Sequence, residues 1–128
     1  MIFFAIQSYF MRAFFYLSSC DTCKRIMKSL HFQADIELID IKKNPLNEQQ
    51  LDILFTLTSS YEALFNKRAQ IYKQRDLKSQ NLTDLDYRNL LLEHYTFLKR
   101  PVLIVDNSIF IGNSAQVIEA AKVFLDER

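Results

Sequence analysis

Apolar and polar positions change their spacing along the first part of the chain, and the changes predict alternating strands and helices. Residues 13–17 (AFFYL) form a continuous apolar run of strand length, and Ser18-Ser19 marks a turn after it. From Cys20 onward the apolar positions follow the period of a helix face, and residues 35–41 (DIELIDI) return to a strand-like pattern. The spacing therefore predicts a strand, a tight turn, a helix and a second strand. The predicted helix face consists of Cys23, Ile26, Met27 and Leu30.

Three helix-start signals follow in the middle of the chain. In each, a capping side chain precedes an acidic or amide side chain by three positions: Asn47 with Gln50, Ser59 with Glu62, and Thr83 with Asp86. The first two predict a helix along residues 47–58 and a short helix through residue 65. Residues 66–80 are polar and are predicted to be helical only in part. The third signal predicts a helix that carries Leu85, Leu91, Leu92 and Tyr95 and ends before Arg100-Pro101, because a residue before proline avoids helical angles.

The last part of the chain predicts a β-hairpin and a final helix. Residues 102–105 (VLIV) and 108–111 (SIFI) are strand-like runs, and the Asp106-Asn107 pair between them is a turn signal. Gly112, the only glycine, closes the hairpin, and either Asn113 or Ser114 caps the helix that follows. The apolar side of this helix consists of Val117, Ile118, Ala121, Phe124 and Leu125.

The order of elements is that of an α/β protein: a βαβ unit, an all-helical insertion and a ββα unit. A right-handed parallel βαβ unit joined to an antiparallel hairpin, with helices on both faces, is the thioredoxin-like arrangement. We therefore expect a mixed four-stranded sheet flanked by helices. Residues 12–128 are expected to form one domain with the helical insertion at about residues 44–98, after an N-terminal extension of residues 1–11.

Length, composition and charge narrow the class of protein. A chain of 128 residues fits a single domain, and 49% hydrophobic with 24% charged residues is typical of globular proteins rather than disordered or coiled-coil chains. With a formal net charge of +1, the protein as a whole has no strong electrostatic attraction to nucleic acid or to an anionic membrane. Two cysteines within one four-residue stretch do not suit a secreted disulfide scaffold, so the protein is predicted to be cytoplasmic.

Residues 1–10 are apolar but do not have the features of a targeting segment. No basic residue precedes the apolar run, no small-residue cleavage site follows it, and it is too short to cross a bilayer. A signal peptide is therefore the less favoured interpretation. Because Met11 comes just before the first strand, these residues are interpreted as an extension from an upstream start site, and no function is assigned to them.

The candidate chemistry lies at Cys20 and Cys23, where the first strand passes into the first helix. The N–H groups in the first turn of a helix have no partner within the helix, and together with the helix dipole they stabilise an anion. Cys20 is therefore expected to ionise readily. Lys24 and Arg25 add positive charge nearby, while Asp21 removes some.

The two sulfurs are predicted to have different roles. Cys23 belongs to the apolar helix face, whereas Cys20 lies at or before the helix start, where solvent reaches it. We expect Cys20 to be the attacking thiolate and Cys23 the resolving thiol of an intramolecular disulfide. Two other interpretations stay open. The thiols are alternatively inert and buried, or half of a zinc site, for which only His31 and His94 remain as ligands and the spacing of a compact site is absent.

With these residues in view, the chain resembles the glutaredoxin-like arsenate reductase family, which includes the Spx-type redox regulators. The resemblance rests on the CxxC after the first strand, Arg68 after the short helix, His94 six residues before Arg100-Pro101, and the closing hairpin and helix. It extends from residue 12 to about residue 125, which is nearly the whole chain.

The resemblance implies a set of site residues. Cys20 corresponds to the nucleophile of the family and Cys23 to the second cysteine of its Spx-type members. Arsenate reductases hold an oxyanion with three arginines; Arg68 and Arg100 match two of them, and the third position falls at Gly112. Because a planar guanidinium binds an oxyanion in a two-pronged way, its loss is expected to weaken arsenate turnover.

Further site residues and their simpler interpretations follow from the same resemblance. Pro101 is implied to follow a cis peptide bond and to face the cysteine pair, and Thr22 is predicted to line the same oxyanion-binding site. Arg100 is alternatively a solvated residue at the end of the preceding helix, and Arg68 part of a generally basic surface. For His94, packing or bridging between loops is favoured over catalysis.

The residues and the resemblance together support two functions. The first is a small thiol reductase in which Cys20 attacks an oxidised substrate, Arg100 and Arg68 orient or neutralise it, and Cys23 or an external thiol resolves the adduct. Glutathione, thioredoxin or glutaredoxin is the expected reductant, and no bound cofactor or metal is predicted. The second is an Spx-type regulator in which the cysteine pair switches a surface that binds the RNA polymerase α subunit. A binding module without redox chemistry has no positive support in the sequence.

Overall fold

The computed structural model describes residues 11–128, which divide into two units. The first contains residues 11–44 and 100–128, and the second contains Pro45–Lys99. The predicted N-terminal extension lies, apart from Met11, outside the described residues. In chain order the elements are β1 (Arg12–Tyr16), α1 (Asp21–Ser29), β2 (Glu37–Asp40), α2 (Glu48–Thr58), α3 (Gln70–Gln74), α4 (Asp84–Glu93), β3 (Val102–Val105), β4 (Ser108–Ile111) and α5 (Ala115–Glu127), with 3₁₀ turns at Glu62–Leu64, Leu77–Ser79 and Tyr95–Phe97.

The first unit is built on a mixed four-stranded sheet in the order β2-β1-β3-β4. β1 is parallel to β2, which follows it through α1, and antiparallel to β3, which forms the hairpin with β4. Phe14 in β1 lies opposite Leu38 on one side and Leu103 on the other. The predicted thioredoxin-like α/β fold is therefore confirmed, and the two hairpin strands occupy the residues predicted for them.

Helices α1 and α5 pack against one face of this sheet. Phe14 and Leu103 on that face are buried, and the ring of Phe110 lies 5.4 Å from that of Phe124 in α5. Because strand side chains alternate between faces, the neighbours of these residues point the other way, and they are buried as well. The helices contribute Ile26, Leu30, Ala121 and Leu125 to the cluster, and the opposite sheet face consists of Ala13, Phe15, Val102 and Ile104.

Two residues with positive φ shape the hairpin and its exit, and a serine side chain caps the last helix. Asp106 in the hairpin turn has a left-handed φ of 55°, which aspartate tolerates better than most residues. Gly112 follows β4 with a φ of 90°, a conformation that favours glycine, and its N–H donates to the Pro101 carbonyl oxygen at 2.8 Å. Of the two predicted caps of α5, Ser114 is the one formed: its Oγ accepts the Val117 N–H at 3.2 Å.

The second unit is helical, as the capping signals predicted. The Asn47 side chain accepts the Gln50 N–H at 2.7 Å while the Gln50 side chain accepts the Asn47 N–H at 3.1 Å. Thr83 and Asp86 form the same reciprocal pair at the start of α4. The buried Phe65 ring contacts the rings of Tyr72 in α3, Tyr87 in α4 and Phe97 in the 3₁₀ turn at Tyr95–Phe97.

One predicted feature of the second unit is wrong in detail. Ser59 does not cap a helix start: it ends α2 in a left-handed conformation, and Ser60 instead accepts the Ala63 N–H at 3.2 Å. Leu85 lies on α4 as predicted, but it is 62% exposed and does not share the buried face of that helix. Six positions separate it from Leu91, which places the two on different sides of a helix with 3.6 residues per turn.

One further boundary differs from that predicted, and one strand residue is more exposed than its neighbours. The helix that begins at Asp84 does not continue to Tyr95, because His94 has an extended backbone and ends it. Leu38 is 46% exposed although it alternates as a strand residue should, because β2 lies at the edge of the sheet.

Within residues 11–128 no helix is long and apolar enough to cross a bilayer. The cytoplasmic location stays a prediction.

Candidate functional site

The cysteine pair lies where β1 ends and α1 begins. Residues 17–20 form a turn in which the Cys20 N–H donates to the Leu17 carbonyl oxygen at 3.0 Å. Cys20 is the N-cap of α1, has an extended backbone, and its carbonyl oxygen accepts the Lys24 N–H at 3.1 Å. It therefore stands where the first N–H groups of the helix are open. Cys20 is half-buried, Cys23 is fully buried, and both are free thiols.

Opposing influences act on the pKa of Cys20. Burial of the sulfur raises it, but hydrogen bonds from the Cys23 N–H and thiol and from the Thr22 N–H lower it, as does the positive charge of Arg100. The net result is a pKa below the ordinary value of 9.0. Because the thiolate is the nucleophilic form of cysteine, this sulfur is the more reactive of the two.

Cys23 shifts in the opposite direction. Its burial, assisted by the negative charge of a nearby Cys20 thiolate, raises the pKa of Cys23 to about 11. A backbone hydrogen bond from Leu17 and the charge of Arg100 act against this rise without cancelling it. Near neutral pH Cys23 therefore keeps its proton, and it serves as a hydrogen-bond donor to the Cys20 sulfur.

Arg100 and Pro101 lie in the segment that precedes β3. The Arg100–Pro101 peptide bond is cis, as the resemblance implied, and Pro101 is buried. Arg100 is half-buried, and its charge lowers the pKa of both thiols. Lys24 and Arg25, which were expected to supply positive charge from the helix, are exposed to solvent. The cation that the fold brings to the cysteine pair is therefore Arg100.

A buried carboxylate beside the cysteine turn was not among the predicted site residues. Asp40 is only 5% exposed, and its carboxylate accepts the Ser18 hydroxyl at 2.6 Å and the Lys42 N–H at 3.2 Å. The Ser18 hydroxyl is the main reason that the pKa of Asp40 lies below its ordinary value. The sequence did indicate this contact in part. Asp40 stands between the apolar residues Ile39 and Ile41, and a carboxylate in a buried strand must find hydrogen-bond donors.

The structure assigns the predicted site residues to different units. Arg68 belongs to the second unit, where its side chain is exposed and its N–H donates to the Asn66 Oδ1 at 3.0 Å. Gly112 belongs to the first unit, at the end of β4. The other predicted residues, Cys20, Thr22, Cys23, Arg100 and Pro101, also lie in the first unit.

The two histidines have structural partners. The His94 Nδ1 lies 2.7 Å from the Thr96 Oγ1, and its ring stacks on Tyr95 with centroids 4.7 Å apart, which agrees with the packing interpretation. His31 is exposed and pairs with Asp126 at 3.1 Å. Among residues 11–128 no three histidine, cysteine, aspartate or glutamate side chains are grouped so as to hold a metal ion. The described part of the chain therefore offers no ligand set for zinc.

A comparison with protein families identifies the family to which this chain belongs. The model of the ArsC family matches residues 15–121, a range that includes both cysteines and Arg100-Pro101. The chain belongs to the ArsC family. This finding agrees with the resemblance to arsenate reductases and their Spx-type relatives.

Proteins similar to this chain include a regulatory protein and proteins related to arsenate reductase. The regulatory protein MgsR of Bacillus subtilis is 25% identical over 113 residues, which cover 85% of this chain and 89% of MgsR. An arsenate reductase (ArsC) related protein from Brucella melitensis is 27% identical with a TM-score of 0.64, covering 86% of this chain and 92% of the other. An ArsC family related protein from Bacteroides fragilis has a TM-score of 0.72 at 21% identity, with 86% and 96% covered, and shows the fold alone.

Proposed function

We propose that this ArsC-family protein is a thiol-dependent oxidoreductase in which Cys20 is the nucleophile and Cys23 the resolving thiol. The observation that carries the proposal is the different placement of the two sulfurs: Cys20 is half-buried at the start of α1, where its pKa is lowered, and Cys23 is fully buried, where its pKa is raised to about 11. Near neutral pH the more exposed sulfur is then the more ionised one. Attack on an oxidised substrate therefore begins at Cys20, and Cys23 acts afterwards.

The proposed cycle consists of two thiol–disulfide exchanges. The Cys20 thiolate attacks one sulfur of a substrate disulfide, whose S–S bond breaks; a mixed disulfide forms, and the other substrate sulfur leaves as a thiolate. Cys23 then loses its proton, attacks the Cys20 sulfur and expels the second substrate thiolate. One proton from Cys23 and one from water complete the two product thiols. The substrate gains two electrons, and the cysteines lose them as an intramolecular disulfide.

Neighbouring residues support these exchanges. Arg100 stabilises the Cys20 thiolate and attracts an anionic substrate group, and the Thr22 N–H assists with the thiolate. Pro101, which lies in the same unit as the cysteine pair, is proposed to complete the surface that receives the substrate, and an oxyanion-binding role for Arg68 stays a prediction. An external thiol in the cytoplasm, either glutathione or a thioredoxin or glutaredoxin, reduces the internal disulfide and closes the cycle. No bound cofactor is needed for this chemistry.

The direct test is steady-state reduction of a model disulfide with glutathione or with reduced thioredoxin. The unchanged protein should turn the disulfide over, and Cys20→Ser should abolish turnover. Ser19→Ala is the matched control, because Ser19 adjoins the nucleophile and is exposed. A protein with both thiols reduced that turns over no disulfide with either reductant would contradict the proposal.

Arsenate is proposed to be a poorer substrate than a disulfide. Two of the three arginines that the family uses match Arg68 and Arg100, but the third position falls at Gly112. The φ of 90° at Gly112 strains any side chain placed there, so this position favours glycine. Under the same reductant, turnover of the model disulfide should therefore exceed turnover of arsenate.

A second candidate function is redox-dependent regulation. The similarity to the regulatory protein MgsR favours it, since this relative matches most of the chain. In this alternative the Cys20–Cys23 disulfide switches a surface that binds the RNA polymerase α subunit. Capture of the α subunit by only one redox state of the protein, without turnover of a disulfide, would favour the regulator over the enzyme.

A further inference from the structure

The buried carboxylate of Asp40 has no part in the cycle described above, but it is bound to the turn that leads to the nucleophile. Asp40 is the last residue of β2 and is 5% exposed. Its carboxylate accepts the Ser18 hydroxyl at 2.6 Å. This hydrogen bond joins the side chain of Ser18 to the end of β2. The Lys42 N–H at 3.2 Å gives the carboxylate a second donor.

Ser18 is a central residue of the turn that places both sulfurs. On one side of it, Leu17 accepts the Cys20 N–H at 3.0 Å and makes a backbone hydrogen bond to the Cys23 sulfur. On the other side, the chain enters α1 at Cys20. A shift of Ser18 would therefore move Cys20 relative to the open N–H groups of the helix and disturb the Leu17 contact with Cys23.

We infer that Asp40 is a positioning residue for the cysteine pair: its carboxylate, acting through Ser18, holds residues 17–20 so that Cys20 meets the open N–H groups of α1. The inference rests on the proposed thiol chemistry and deepens it. Lys43 favours the ionised form of Asp40, as Arg100 favours that of Cys20. A negative charge near a thiolate by itself disfavours the thiolate. Charge alone and positioning therefore predict opposite results when the carboxylate is removed.

The experiment measures how fast iodoacetamide alkylates Cys20 at a series of pH values, read on the Cys20 peptide of the full chain by mass spectrometry. Asp40→Ala and Ser18→Ala should raise the pH midpoint of alkylation. Since the rate follows the thiolate fraction, we expect a rate at pH 6 lower by about threefold or more. Asp40→Asn removes the charge but still accepts a hydrogen bond from Ser18, and its rate should stay within about twofold of the unchanged protein. Ser19→Ala, the matched control, should leave the rate unchanged.

Two results would overturn the inference. If both Asp40 variants lower the pH midpoint, the carboxylate acts through its charge; if Asp40→Ala and Ser18→Ala leave the midpoint where it was, the contact has no role at the site. Thermal unfolding of each variant is followed alongside. Should Asp40→Ala fail to fold, Ser18→Ala and Asp40→Asn decide between the same outcomes. A midpoint at or above 9.0 in the unchanged protein would instead contradict the proposed function, whatever the variants show.

Discussion

Cys20 and Cys23 stand in the same turn of the chain and meet different surroundings. Cys20 is half-buried at the start of α1, where backbone N–H groups and Arg100 favour its thiolate. Cys23 lies in the first turn of α1 and is fully buried, where a charge is costly. The difference in role between the two sulfurs follows from where the strand ends and the helix begins.

Trapping of a reaction intermediate tests these roles residue by residue. Treated with oxidised glutathione, Cys23→Ser should accumulate a mixed disulfide on residue 20, because the thiol that resolves it is gone. Cys20→Ser should accumulate little or none, since the remaining thiol is buried and has a pKa of about 11. Intact mass spectrometry without reductant measures both adducts. An adduct on Cys20→Ser but not on Cys23→Ser would reverse the assignment.

Removal of the Arg100 charge should make the nucleophile harder to ionise. Arg100→Gln keeps a polar side chain but loses the cation that lowers the pKa of Cys20, so the alkylation midpoint should move to higher pH. The control is Lys24→Gln, which removes an exposed positive charge from α1, where solvent screens it. Equal midpoints in the Arg100 variant and the unchanged protein would show that hydrogen-bond donors lower the pKa of Cys20 without help from Arg100.

At the scale of single elements, local rules predicted most starts and turns. The Asn47–Gln50 and Thr83–Asp86 boxes and the Asp106-Asn107 hairpin turn depend on neighbours in sequence, and the structure forms all three. Leu85 shows the limit of such rules. Its apolar side chain fits a helix by propensity, but only Tyr87 and Leu91, four positions apart, share the buried face of α4. Which face is buried is decided by the other elements of the unit.

The capping box at the start of α4 should contribute measurably to stability. Thr83→Ala removes the acceptor of the Asp86 N–H and should lower the free energy of unfolding by about 1 kcal/mol. Asn81→Ala, an exposed change two residues earlier, serves as the control and should have little effect. Urea unfolding followed by circular dichroism gives both values. Equal stability of the two variants would mean that the observed box contributes nothing.

At the scale of the whole chain, the ends of the first unit are joined by an ion-pair network. Asp35 pairs with Arg12 at 3.0 Å and with Arg128 at 2.6 Å, and Arg12 also pairs with Asp106 at 3.0 Å. The hydrogen bond from Arg128 is the main reason that the pKa of Asp35 falls from its ordinary value of 3.8 to about 2. Residues far apart in sequence thus meet beside the first strand.

This network should make stability depend on pH in acid. Because the folded-state pKa of Asp35 is depressed, its contribution is complete above the unfolded value of 3.8 and disappears as pH falls through about 2. Asp35→Asn should therefore show a shallower fall of the melting temperature between those pH values than the unchanged protein. Glu37→Gln, an exposed neighbouring change, is the control and should keep the original slope. Parallel slopes for Asp35→Asn and the unchanged protein would show that the network does not contribute to the pH dependence of stability.

Local features of the site could be predicted from the sequence, whereas contacts between residues distant in sequence could not. The CxxC motif at a strand–helix junction is local, and its half-buried and buried sulfurs follow from the helix pattern. The contribution of Arg100 was implied by family resemblance, since pattern alone does not bring it to Cys20. The Ser18–Asp40 contact joins β2 to the turn after β1, and neither residue type nor spacing specifies that distance. Long-range placement therefore had to come from the fold.

The different roles of Cys20 and Cys23 are best tested by a titration of the two thiols read separately in the unchanged protein. Alkylation of each cysteine peptide is measured by mass spectrometry across the pH range, starting from the fully reduced chain. We expect Cys20 to lose its proton below pH 9.0 and Cys23 to do so only near pH 11. Two thiols that ionise together, at or above pH 9.0, would contradict this expectation.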